Sequence, residues 1–419
     1  MNLFNLRRAA STAAVPPCVP RSDALMPETS RRFLMPGARQ DDPVFVRGQG
    51  SWLWDDQGHA YLDFHQGGAV NSLGHSPDGL VKALADQARS LINPGAGLQG
   101  QGLLTLAQRL CQSTGSDQAY LLNSGSEACE TAVRLARLWG QRHRHGAAHV
   151  IVARQGCHGR GLAALSTCHA GADTPGFSHV PFNDLAALHA AVDSTTVALL
   201  LEPIQGEAGV IPASRDYLKG AETLCRELGI LLILDEVQTG MGRCGTLLAE
   251  QRHGVRADLV ALGKGLGGGV PLAAVLARGT ACCAAPGDLG GSHHGNTLMS
   301  AAGLVVLETV LAPGFLEHVE DVGRHLREGL SRLAARFGQG EVRGQGLLWG
   351  LQLHEACAQA LVDAALQEGL LLTAPQTDVL RFTPALTVSK GNIDDMLKRL
   401  ARAFVTTRAL SCEARRASA

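Results

Sequence analysis

Short apolar runs recur through the middle of the chain, at 150–153, 197–201, 230–234, 258–262 and 273–276. Runs of this length, bounded by polar or glycine positions, read as buried strands. Between them, apolar residues three or four positions apart predict helices over 127–139, 185–191 and 214–228. The last carries its own punctuation, with Ser214 to cap its start and Gly229 to stop its end. Strand and helix in alternation predict an α/β fold with a mostly parallel central sheet covered by helices on both faces. Ahead of this region, 44–46, 51–54 and 60–64 read as short antiparallel strands, the last following a turn at Gly58. After about 295 the pattern changes to helices over 298–311 and 316–337, strands at 346–353 and 379–382, and a final helix over 393–405. That part reads as a smaller α+β domain. The resulting division is an N-terminal extension, partly disordered, over 1–43; strands at 44–75 that join the small domain; a large domain over 76–294; the small domain over 295–405; and a flexible tail over 406–419. No internal repeat is visible.

A chain of 419 residues has room for two or three domains with ample core. The formal net charge of -1 excludes the basic excess expected of a nucleic-acid binder. No apolar run approaches the roughly 18–20 residues of a membrane helix, so the expectation is a cytoplasmic protein without membrane partners. Residues 1–21 carry three arginines and no acid, and residues 1–25 read either as a targeting segment or as a disordered extension or overlong start. Glycine is the excess that matters: 50 residues, well above the usual ~7%. It suits tight turns and close approach of backbone to a ligand. The 11 cysteines include no CxxC pair, and His143, His145, His293 and His294 lack ligand spacing to a second cluster. They read as free thiols in a reducing compartment, and no metal is expected.

Three places carry chemistry. The run ending at Leu262 leads into Gly263-Lys264-Gly265. A lysine after a strand is ordinarily a solvated charge, but glycines on both sides strip its cover, and a desolvated lysine is a nucleophilic amine. Gly263, Gly265 and Gly268 also match a dinucleotide fingerprint, but the next strand ends in Arg278 and not in an acid. The run 231–234 ends in Asp235, at the carboxyl end of a strand, where α/β sheets bind ligands. A carboxylate buried there needs a positive partner, although an ordinary turn or cap is the common role. Third, Asn123-Ser124-Gly125-Ser126-Glu127-Ala128 opens a helix, where free N–H groups and the helix dipole form a phosphate site. A phosphate site, a partner for a ring nitrogen and an isolated lysine are together what pyridoxal 5′-phosphate requires.

On these residues the chain resembles the class III aminotransferases of the fold type I pyridoxal-phosphate superfamily, near the acetylornithine and ornithine branch. The resemblance runs from about 44 to 402. It rests on segments in one order: Gly68 to His75, Asn123 to Ala128, His158-Gly159-Arg160, Glu202 to Val210, Asp235 to Gly240, Lys264, Gly295-Asn296, Arg343 to Leu347 and Arg381 to Pro384.

The resemblance implies that domain 76–294 binds the cofactor. Lys264 carries it as a Schiff base and then moves the proton. Asp235 pairs with the ring nitrogen, Gln238 reaches the phenolic oxygen, Val237 covers a ring face, and Gly125 and Ser126 hold the phosphate. Ser292 stands where the family has a threonine that one subunit lends to the other's phosphate, which implies a homodimer. Arg160 grips a distant substrate carboxylate, while Arg381 and Glu207 form a pair that opens for a second dicarboxylate. The chain departs from the family twice. Cys157 replaces the aromatic that stacks on the cofactor ring, a face a cysteine cannot supply, and Gly291 replaces a residue that relatives often use as serine against substrate. A nucleophilic Cys157 backed by His158 is the lesser reading there. The implied activity moves an amino group from an ω-amino acid, best N2-acetyl-L-ornithine, to 2-oxoglutarate, in arginine metabolism. The alternatives are another class III donor (ornithine, succinylornithine, 4-aminobutyrate or a diamine) and a non-catalytic regulator that binds the cofactor.

Overall fold

The computed structural model describes residues 33, 35, 43–161 and 175–417, with side chains through 407. The readings made for residues 1–25, and most of that for 1–43, lie outside the described residues.

The central sheet is built from β1 (Gln118–Leu122), β2 (His149–Ala153), β3 (Phe177–Val180), β4 (Thr196–Leu201), β5 (Leu231–Asp235), β6 (Leu259–Leu262) and β7 (Ala273–Ala277). Its order is β1-β7-β6-β5-β4-β2-β3. The pairs from β6 through β3 are parallel, while β7 runs antiparallel to both β6 and β1. The reason is the connection. Parallel neighbours need a long crossover, whereas β6 and β7 are joined by the short glycine-rich run that begins at Gly263. The apolar run 273–276 shows a strand but not its direction.

Alternation along the strands feeds two layers. Leu199, Leu201, Leu232 and Leu234 face one core, and Ala198, Leu200, Leu231 and Ile233 face the other. Helix α1 (Gly125–His143) fills the second with Ala132, Val133, Ala136 and Trp139. Helix α2 (Arg215–Leu228) fills the first with Leu218, Ala221 and Leu224. This is the helix-covered α/β sheet that the periodicity indicates. Ser214 caps α2 by accepting from Tyr217 N, and Gly229 ends it at φ +61°.

The chain ends supply a second body of strands. Phe45–Gln49, Trp52–Asp55 and Ala60–Asp63 form an antiparallel ribbon that pairs with Leu370–Leu371 through Leu62. Val342–Gln345, Leu348–Gln352, Val379–Phe382 and Thr373–Gln376 form a further antiparallel sheet. The sequence reading missed β1 and β3, which lie at the sheet edges and carry polar residues. It also missed the helices Asp78–Ser90, Gln101–Thr114 and Ala358–Gln367. The last helix, Lys390–Ala417, runs past 405, because the alanines, arginines and glutamate there are good helix formers. Among the described residues, no single helix is long and apolar enough to cross a membrane.

Candidate active site

The carboxyl ends of β1, β5 and β6 lie along one edge of the sheet, the edge where open α/β folds bind ligands. Asp235 is the last residue of β5, and Lys264 follows β6 after Gly263. Lys264 opens a short 3-10 turn at φ +40°, a backbone region that side-chain-bearing residues rarely occupy and that is retained mainly at functional positions. A Cβ on Gly263 would stand 3.1 Å from Gly125 Cα, and one on Gly125 would stand 2.5 Å from Val237 Cγ1. The lysine turn therefore meets the start of α1 backbone to backbone, and the Val237 side chain packs against both, an approach that the glycines at 125 and 263 leave open. The other lysines of the chain, Lys82, Lys219, Lys390 and Lys398, are exposed.

Asp235 is buried and tightly held. Its Oδ2 accepts from His158 Nδ1 at 2.8 Å and from Cys129 Sγ at 3.2 Å, and its Oδ1 accepts from Val237 N at 3.0 Å. Burial pushes the carboxyl up, but the His158 hydrogen bond and charge outweigh it, and the group titrates below the usual carboxylate range. Burial in turn drives the His158 ring down, and Asp235 overcomes that to raise it. Each group thus favours the charged form of the other. Behind it, burial pushes the Glu202 carboxyl up to about 8 against the pull of His158, and Glu202 Oε2 accepts from Cys157 N at 3.0 Å. Cys129, His158 and Glu202 were assigned no part in this support by sequence reasoning. His158 Nδ1 faces Asp235, so the ring is not turned to activate Cys157 through that nitrogen. Cys157 itself is half-buried beside the cluster.

The groups left over match one ligand. Gln238 is buried and its Nε2 has no hydrogen-bond partner, while a Cβ on Gly206 would fall 1.5 Å from its Oε1. The first N–H groups of α1 have no intrahelical acceptor. Ser124 caps the helix by accepting from Glu127 N at 3.3 Å. Ser126 Oγ accepts from Arg160 N at 3.2 Å, an approach open because Gly159 sits at φ +112° with its missing Cβ 2.6 Å from that oxygen. A buried carboxylate with a free lone pair, an orphaned amide donor, a helix N-terminus and an amine on a strained turn fit pyridoxal phosphate. Asp235 can hold its ring nitrogen, Gln238 its phenolic oxygen, and Gly125 and Ser126 its phosphate.

Next to this group lies an ion pair. Arg381 NH1 meets Glu207 Oε1 at 2.5 Å and also donates to Gly206 O at 3.4 Å. Burial pushes the Glu207 carboxyl up, and Arg381, then Lys264 and Arg160, bring it below its usual value. Burial lowers the Lys264 ammonium below the ordinary lysine value, with Glu207 opposing and Arg381 reinforcing. Lys264, Glu207, Arg381 and the exposed Arg160 thus share one electrostatic field.

Ser292 and Gly291 are not brought to this group. They lie on a surface loop where Ser292 O accepts from Asn93 Nδ2 at 3.2 Å. A Cβ on Gly291 would strike the His294 ring at 2.4 Å. Among the described residues, no hydrogen bond joins the Ser292 hydroxyl to the start of α1 in the same chain.

Comparison with known proteins agrees with this geometry. Residues 37–404 match the family described as aminotransferase class-III. The chain is 48% identical over 377 residues to acetylornithine aminotransferase 2 of Bordetella bronchiseptica, covering 88% of this chain and 95% of that one. It is 45% identical over 371 residues to acetylornithine aminotransferase of Ralstonia nicotianae, covering 85% and 93%. Among solved structures, the ornithine aminotransferase from Toxoplasma gondii superposes with a TM-score of 0.87 at 29% identity, covering 92% of this chain and 97% of that one. The N-acetylornithine aminotransferase from Stenotrophomonas maltophilia gives 0.80 at 34% identity, covering 91% and 99%. With its α/β sheet, its cofactor-shaped donor set and these relatives, the chain belongs to the class III aminotransferases, enzymes of the fold type I architecture that work with pyridoxal phosphate.

Proposed function

We propose that the protein transfers the terminal amino group of N2-acetyl-L-ornithine to 2-oxoglutarate, with Lys264 and Asp235 as its catalytic residues. The observation that carries this reading is the Arg381–Glu207 pair set beside Lys264. The two substrates differ at the reacting carbon, which bears a carboxylate in 2-oxoglutarate and none in an ω-amino donor. A fixed, unpaired arginine there would be left buried without a partner whenever the donor binds. Glu207 solves this by neutralising Arg381 in the donor state. The Arg381 side chain is 6% exposed and that of Glu207 is 45% exposed, so the carboxylate is the member free to swing away while the guanidinium stays fixed for a bidentate grip on the incoming carboxylate. Arg160, exposed and with no ion pair among the described residues, serves the distant carboxylate in both half-reactions. The names of the relatives at 45–48% identity support acetylornithine as the donor.

When bound, pyridoxal phosphate supplies an electrophilic carbonyl for the amino group and a ring that accepts electrons. The protein does the rest. Lys264, its ammonium eased toward the free amine by burial, would take the proton from the amine-bearing carbon of the donor and deliver it to the cofactor carbon that keeps the amino group. Asp235, kept anionic by His158, Cys129 and Val237 N, holds a proton on the ring nitrogen. Val237 packs one side of the site, and Cys157 leaves the other without an aromatic cover. A panel of donors with 2-oxoglutarate, following glutamate formation, tests the assignment. Acetylornithine is expected to lead, and a clear preference for ornithine or 4-aminobutyrate would move the donor elsewhere in the family. Absence of glutamate with every donor would end the reading.

Replacing Glu207 by alanine leaves Arg381 permanently available. The rate with glutamate as donor, relative to acetylornithine, is expected to rise roughly tenfold, the scale of one charge-assisted hydrogen bond. Equal scaling of both donors would make the pair structural.

The protein also works as a homodimer in this reading. The loop that carries Ser292 contacts Asn93, next to Ile92, and Leu91, Ile92, Leu98 and Leu104 expose between 41% and 63% of their surface. A second copy covering these residues lets Ser292 reach the partner's phosphate. Sedimentation of the holoenzyme is expected to give twice the chain mass, and an active monomer would contradict the assignment.

A further inference from the structure

His65 sits at the centre of an unusual stretch of backbone. The four residues after it, Gln66, Gly67, Gly68 and Ala69, all lie in the left-handed region, at φ +48°, +64°, +72° and +75°. Two of these are not glycine, and such strain persists where surrounding structure fixes it for a purpose. The fixing is visible. Asp63 Oδ1 accepts from both His65 N and Gln66 N at 2.8 Å. His65 O accepts from Gly68 N at 2.9 Å and from Thr383 Oγ1 at 2.7 Å. Thr383 stands two residues beyond Arg381. On its other side the turn packs on the lysine loop, where Ser72 Oγ donates to Gly265 O at 2.8 Å and a Cβ on Gly265 would lie 3.7 Å from Ala69 O. The turn thus wedges His65 between the strand end that carries Arg381 and the turn that carries Lys264.

The ring is half-buried, and its Nδ1 is fully buried with no hydrogen-bond partner. The charged groups around it are Asp63, Arg381, Glu207 and Lys264. Burial lowers the imidazole below the ordinary histidine value; Asp63 and Glu207 oppose this, and Arg381 and Lys264 reinforce it. A neutral imidazole keeps one N–H to give. A buried ring nitrogen without a partner is costly, and among the described residues nothing pairs with Nδ1. We infer that His65 is a specificity-determining residue, its ring N–H donating to the substrate carboxylate that Arg381 receives. This rests on the reading of Arg381 given above. The ligand class is a five-carbon dicarboxylate, since the ω-amino donor brings no carboxylate to that corner.

Glutarate, a non-reacting dicarboxylate, is the probe. Calorimetric titration of the holoenzyme is expected to show glutarate binding weakened roughly tenfold in His65→Leu, the cost of one hydrogen bond to a charged group. The KM for 2-oxoglutarate should rise alike, with kcat and the half-reaction with acetylornithine within twofold of the unaltered enzyme. His65→Asn, which keeps an N–H on a smaller side chain, should recover most of the glutarate affinity. Unchanged glutarate binding in both variants, equal losses for both substrates, or a loss for the amino donor alone would overturn the inference. If the unaltered enzyme makes no glutamate, the functional reading fails instead, and the glutarate titration still decides the role of His65.

Discussion

Lys264→Ala is expected to remove nearly all amino transfer while leaving the fold intact. The side chain projects from a turn already fixed by its neighbours, since Leu266 N donates to Gly263 O and Ser72 Oγ binds Gly265 O, and neither bond uses the lysine amine. The loss is chemical. The variant lacks the one lysine amine that the described residues place beside the start of α1, the group proposed to move the donor proton. General acid–base catalysis alone contributes about 10²–10⁴-fold, so turnover is expected to fall by about three orders of magnitude or more. Cofactor binding through Gly125, Ser126, Asp235 and Gln238 should persist in weakened form. Stopped-flow measurement of the half-reaction, beside a cofactor titration, separates the two effects. Turnover within tenfold of the unaltered enzyme would remove Lys264 from the mechanism.

Asp235→Asn is expected to cost about 10²–10³-fold in kcat, the scale for losing one preorganised electrostatic partner in a buried site. An amide of the same shape still accepts one hydrogen bond, but it no longer provides the negative charge that keeps a ring nitrogen protonated. His158 is left facing a neutral group, and burial then drives its proton off. Two supports disappear with one change. Asp235→Glu, which restores charge with poorer placement, should recover part of the rate. A kcat within threefold in Asp235→Asn would mean that this carboxylate only holds the strand end together.

Lys264 and Asp235 were legible because each stands at the end of an apolar run, where chain direction and sheet position say what a side chain can face. The glycines at 125 and 263 were legible as a request for close approach. The support of Asp235 was not, because His158 is 77 positions away and Cys129 is 106 positions away. Only the parallel packing of β5 against its neighbours and the placement of α1 across the sheet bring them together. The Arg381–Glu207 pair spans 174 positions and came from resemblance alone. The direction of β7 was hidden for another reason: an apolar run has the same pattern whichever way it points. His65 left no mark in the periodicity, and its turn depends on contacts with Asp63 and Thr383.

Lys264 is the proposed covalent anchor of pyridoxal phosphate. Reduction of the holoenzyme with borohydride fixes the cofactor to the amine that holds it, and peptide mass mapping then names the residue. The cofactor mass is predicted on the peptide that contains Lys264, with Lys82, Lys219, Lys390 and Lys398 unmodified. Its appearance on one of those four, or on none in an enzyme that still transfers amino groups, would contradict the site described here.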